Sequence, residues 1–370
     1  MTSAPAGTGT PGLFDPITLR SLDVSHRGWV AAMCQYSCDP AVAAGVPTDW
    51  HLVHLGQFAT GGAALIITEA AAVSAEGMIS PRDAGIYTRE QAEAWRRIND
   101  FVHEHSAVGT RTAVQLAHAG RKASTYWPFS GLHDSVPESE GGWQTVGPTD
   151  EAFGRYAAPR AMTEDDIAKV IHDFGAAAAL AVDAGFDTME IHAAHGYLLH
   201  QFLSPLVNTR TDDWGGSEEA RFRLTLDVIR AVRRVIPADM PLLLRVSASD
   251  WTDGGLDGAA SARLARRAAE EGVDLVDVSS GGAVPAASIP VGPGYQVSLA
   301  EEVRSSGVPT GAVGLISDGR QADDVIRQGR ADVVLVARAA LRDPHWWMRA
   351  ADDLGHELVP APQYERAGSF

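Results

Sequence analysis

Short β-branched or apolar runs alternate with helical segments along this chain, and no other feature limits its fold so strongly. Eight runs qualify as strands: Gly28–Met33, Ala64–Glu69, Thr110–Leu116, Asp187–His192, Pro241–Ser247, Asp274–Ser279, Val308–Val313 and Asp332–Ala337. Helical stretches follow them at Thr48–Ala59, Arg89–His105, Glu164–Ala184, Ser217–Ile236, Gly258–Glu271, Val297–Ser306, Gly319–Gln328 and Asp343–Leu354. Such alternation builds βαβ units and a parallel sheet. Eight units in 370 residues predict an α/β fold of the TIM (β/α)8 barrel type, one domain over 13–354. No GxGxxG follows an early strand, which disfavours an open dinucleotide-binding sheet.

Two stretches break the repeat. Residues 123–162, rich in Pro, Gly, Trp and Ser, leave strand three at the barrel face that carries active sites, and read as a cap or lid. Residues 355–370 read as a C-terminal arm. Residues 1–12 lack a basic start and an apolar core and read as a loose tail, not a signal peptide.

Charge and cysteine usage narrow the function. Thirty basic against 47 acidic residues leave a net charge of −17, which argues against nucleic acid and anionic membranes as partners. Only Cys34 and Cys38 are present, without CxxC or HExxH, so a reducing, cytoplasmic setting is expected and no metal site.

Functional residues of such a barrel sit at strand C-terminal ends. On strand four, Met189 and Ile191 alternate with Glu190 and His192, so His192 is expected to face the barrel mouth. His195 and Tyr197 follow in the loop. Two imidazoles and a phenol suit stabilising a developing enolate and passing a proton, although the same residues also serve as polar loop groups. Gly311, Gly314 and Arg338, after strands seven and eight, suit a phosphate site or an ordinary tight turn. His51, His54 and His118 read as capping or packing groups, His103 and His105 as solvated, Cys38 as a spectator, and Trp346 and Trp347 as packing of the last helix.

Several longer motifs resemble the old yellow enzyme family. They are Met33-Cys34-Gln35-Tyr36, Gln115-Leu116-Ala117-His118-Ala119-Gly120-Arg121-Lys122, His192-Ala193-Ala194-His195-Gly196-Tyr197 and the run from Ser204 to Ser217. The Cys34 position and the tail Gln363-Tyr364-Glu365-Arg366 point to its thermophilic-like branch; Lys122-Ala123-Ser124 and Trp143 are similar to xenobiotic reductases. The resemblance implies FMN as cofactor, NADPH or NADH as reductant, and enone or enal substrates whose C=C bond is reduced. By motif position, Gln115 and Arg245 would hold the flavin pyrimidine edge, and Ala70 and Met33 would approach the ring. Arg338, with backbone near Gly282, Gly314 and Ala337, would hold the phosphate. His192 and His195 would bind the substrate oxygen, Tyr197 would donate the proton, Tyr36 would be a second phenol, and Cys34 would tune the flavin. Arg366 would reach the neighbouring subunit's site in a homodimer or dimer of dimers. Ala31-Ala32 stand where the family often has Ser-Pro, and Trp214 and Ala220 where Tyr and Asn are usual. Two alternatives remain: a non-redox barrel enzyme acting on a phosphorylated substrate, and a flavin-binding redox sensor using Cys34.

Overall fold

A computed structural model describes residues 10–367; most of the expected N-terminal tail therefore lies outside the described residues. Among the described residues, eight parallel strands close a barrel in chain order. They are β1 (Gly28–Val30), β2 (Leu65–Ala72), β3 (Arg111–Ala117), β4 (Thr188–Ala193), β5 (Leu242–Ser247), β6 (Leu275–Ser279), β7 (Thr310–Ala312) and β8 (Val333–Val336). The outer helices are α1 (Asp49–Thr60), α2 (Arg89–His105), α3 (Glu164–Asp183), α4 (Glu218–Arg233), α5 (Gly258–Glu270), α6 (Val297–Arg304), α7 (Gly319–Arg327) and α8 (Trp346–Asp353). Several start at side-chain caps: Thr48 with His51 in a capping box, Thr163 with Asp166, Ser217, Asp257 and Asp318.

Strand alternation divides the core. Met189, Ile191, Leu242, Leu244, Val276 and Val334 pack outward in one cluster with helix residues such as Phe174. Trp29, Leu65, Ala113, Leu243, Leu275 and Leu335 form a second cluster on the opposite strand faces, the barrel interior. Leu19, Leu22 and Val24 join that cluster from a hairpin, Ile17–Leu19 with Leu22–Val24. This hairpin, not expected from the sequence, closes the N-terminal end, where Arg20 bonds Asp274 and the Ala238 carbonyl just before β6 and β5.

Three boundaries differ from expectation. β1 stops at Val30, and Ala31 makes a last bond to the Val336 carbonyl before the chain turns over the barrel mouth. β2 runs on to Ala72 through a register shift between Ile67 and Ala70, a bulge that inserts Thr68 and Glu69. The tail is not an extended arm: Pro362–Ala367 is a 3-10 turn, and Tyr364 stacks edge-on to His345 at 6.0 Å. A proline fits the first position of such a turn because its fixed φ is already helical. His103, expected to be solvated, is exposed and pairs there with Asp187 at 2.7 Å. No described helix is long and apolar enough to cross a membrane.

Candidate active site

The strand C-terminal ends bring most of the expected residues to one mouth. Cys34, Tyr36, Ala70, Ala117, Trp143 and Tyr197 share one apolar cluster there. Tyr36 and His195 adopt left-handed backbone conformations, with φ of 51° and 57°, which side chains other than glycine rarely take. Two buried networks hold them so. Glu69 accepts from the Gln35 amide at 3.0 Å and pairs with His51 on α1, also at 3.0 Å. On the other side, His200 accepts from the Gly196 amide at 2.8 Å and donates to Asp250 at 2.9 Å.

His192 and His195 meet edge to face, with Nε2 of His192 3.2 Å from Nδ1 of His195. The Ala194 amide donates to His192 Nδ1 at 3.1 Å, which leaves the proton on Nε2 pointing at His195. His195 Nε2 in turn lies 2.7 Å from the Ser279 hydroxyl. Burial, reinforced by the Arg245 guanidinium, holds both imidazoles well below their ordinary range, so both are neutral. The Tyr197 ring stands 5.1 Å from His192, and burial pushes its phenol well up, so it keeps its proton. Burial likewise raises the Cys34 thiol and the Tyr36 phenol.

Lys122 belongs to this site too. Its ammonium donates to the His195 carbonyl at 2.7 Å and lies 5.1 Å from the Tyr197 ring and 4.6 Å from the Phe153 ring. Burial and neighbouring Arg121 push it down to about 8. The cap touches the mouth through Phe153 and through Phe129, edge-on to Tyr36 at 6.5 Å.

Beside this cluster lies a cavity of about 150 Å³ between the ends of β6, β7 and β8. Ala31, Ala32, Arg245, Gly314, Ala337 and Arg338 are among its walls. Three arginines line it, Arg245, Arg338 and Arg342, and no Asp or Glu among the described residues does. In a chain of net charge −17, that is a wall selected for an anion. Gly314 sits at φ 113°, and a Cβ there would press on Gln296 at 3.1 Å, so its bare backbone borders the cavity. Gly282 answers a different need: a Cβ would fall 2.4 Å from the His195 backbone, where the loops after β4 and β6 cross. Gly311 is not part of the cradle; it lies within β7, with Leu335 against it. Gln115 and Arg245 are buried deeper, on β3 and β5, with Arg245 reaching the cavity. Met33 is half-buried beside the core. This donor set fits FMN: arginines and open backbone for a phosphate, and buried Arg245 for a polar ring edge. Arg366 is exposed on the 3-10 turn.

Comparison with known proteins agrees with this geometry. Residues 12–357 match the family model described as NADH:flavin oxidoreductase / NADH oxidase. The chain is 44% identical to an NADPH dehydrogenase of Geobacillus sp. (strain WCH70) over 359 residues, covering 97% of this chain and 99% of that one. Among solved structures, morphinone reductase in complex with tetrahydroNAD superimposes with a TM-score of 0.76 at 27% identity, covering 95% of this chain and 93% of that one. An old yellow enzyme homologue from Zymomonas mobilis gives a TM-score of 0.76 at 27% identity, covering 95% and 94%.

Proposed function

Because the chain belongs to the NADH:flavin oxidoreductase / NADH oxidase family and is an FMN oxidoreductase driven by NAD(P)H, we propose that it reduces the activated C=C bond of α,β-unsaturated carbonyl compounds. The observation that carries this reading is the trio of neutral His192, neutral His195 and protonated Tyr197 at one mouth. Bound FMN would supply the hydride chemistry, charged by NAD(P)H and spent on the substrate's β-carbon. Arg338, Gly314 and Ala337 would hold its phosphate end; Gln115 and Arg245 would hold the pyrimidine edge; Ala70, Met33 and Cys34 would border the ring.

His192 and His195 donate hydrogen bonds to the carbonyl oxygen and stabilise the charge that develops there. To do so they must release each other and Ser279, since both donors are committed inside the protein before a substrate arrives. Tyr197 delivers its proton to the α-carbon. Tyr36 is a second phenol over the substrate, and Cys34, kept as a thiol, modulates and does not attack. The 123–162 segment acts as the cap. We further propose a cytoplasmic homodimer or dimer of dimers in which Arg366 reaches the partner's mouth; its exposure leaves it free for that contact. The enone reading is tested by anaerobic NADPH oxidation with and without 2-cyclohexenone: turnover should require the enone and yield cyclohexanone. Equal oxidation without it would reject the reading.

A further inference from the structure

Gln115, Glu190, Arg245 and Asp277 stand on four neighbouring strands, β3 to β6, all buried in the barrel interior. Gln115 is the register partner of Glu190, and Asp277 that of Arg245. Ala113, Leu243 and Leu275, each two residues earlier on its strand, form the apolar floor beneath them. His192, two residues beyond Glu190, is the register partner of Arg245 and joins this group to the catalytic cluster.

This layer carries two carboxyls and one guanidinium. The Gln115 amide donates to Glu190 Oε1 at 2.7 Å, and Arg245 Nε lies 3.1 Å from Asp277 Oδ2. Yet Glu190 Oε2 and both Asp277 oxygens receive no hydrogen bond from any donor among the described residues. Buried oxygens without donors are costly, and a second buried carboxylate here would have no cation of its own. One proton removes both conflicts. Held by Glu190 and donated to Asp277, it satisfies the pair and leaves one carboxylate for one guanidinium. Burial and the Asp277 charge push Glu190 up to about 8, and burial raises Asp277 as well. The Glu190 and Asp277 carboxyls lie within hydrogen-bonding contact of each other, and Arg245 and neutral Gln115 are the other side chains that act on the pair.

We propose that Glu190 and Asp277 share one proton and act as the positioning pair that aims Gln115 and Arg245 at the flavin's pyrimidine edge and fixes the net charge beneath it. The inference rests on the FMN reading above. Losing the shared proton places an extra negative charge under the site, which weakens FMN binding and lowers the flavin midpoint potential.

The test measures the FMN dissociation constant and the flavin midpoint potential of the full chain from about pH 6 to about pH 9, across the value near 8 expected for Glu190. The wild type should show a break in both near that pH. Glu190→Gln, which keeps a neutral donor toward Asp277, should bind FMN within about threefold of wild type at neutral pH and lack the break. Glu190→Leu should weaken FMN about tenfold, because Gln115 and Asp277 lose their partner. The double variant Glu190→Gln/Asp277→Asn leaves Arg245 uncompensated and should raise the potential. A break that persists in Glu190→Gln, or a Glu190→Leu protein that binds FMN like wild type, would overturn the pair. A wild-type chain that binds no FMN at any pH would instead overturn the cofactor reading and this inference with it.

Discussion

Nε2 of His192 lies 3.2 Å from Nδ1 of His195, so the two imidazoles that face the mouth are bonded to each other before either meets a substrate. Burial and Arg245 hold both well below the ordinary histidine range. A lowered histidine pKa means that the proton is lost at more acidic pH than usual, so both rings stay neutral through the range where free histidine titrates. The oxidative half-reaction is therefore expected to be flat between about pH 5.5 and about pH 7, read by anaerobic stopped flow. A sigmoid near pH 6.5 would mean that one of the rings titrates normally.

Tyr197→Phe should slow reoxidation of the reduced protein by an enone by on the order of 10²-fold while leaving its reduction by NADPH nearly untouched. The raised phenol pKa keeps the proton in place at neutral pH, where it is needed. Rapid-mixing traces of the two half-reactions check this; unchanged reoxidation would assign the proton to water or another group.

Arg338→Ala should weaken FMN retention about tenfold, the lower end for a charge-assisted contact, because the side chain is open to solvent. Equilibrium dialysis of the flavin gives the number. Retention equal to wild type would move the phosphate away from the β7–β8 cavity.

Deleting residues 363–370 removes Arg366 and the Tyr364 contact with His345. It should raise KM for the enone and leave FMN bound, with any loss of dimer read by light scattering. Unchanged KM and mass would make the segment only a terminus.

Much of this was legible in the chain because strand alternation reports which way a side chain points. Met189 and Ile191 pack outward, which put Glu190 and His192 inside, as the barrel has them. Alternation does not report which residues on different strands share a level, because that depends on register. The pairing of Glu190 with Asp277 is therefore not readable from the chain, although an Asp amid the apolar residues of Leu275–Ser279 is a usable signal. Lys122 is not readable as a site residue because its partners are backbone carbonyls from the loops after β4 and β6, which no side-chain pattern announces. The N-terminal hairpin leaves no trace in the sequence pattern because its strands are three residues each, too short for a period to register. The tail turn differs from the extended arm expected because proline serves both extended arms and first helical turns.

The most direct test of the central claim is the fate of two isotopic labels in one anaerobic reaction. With NADPH deuterated at the transferred position and 2-cyclohexenone as substrate, cyclohexanone should carry that deuterium on its β-carbon. In heavy water with unlabelled NADPH, the label should appear on the α-carbon, delivered through Tyr197. Formation of the allylic alcohol, or no label on the β-carbon, would contradict the account.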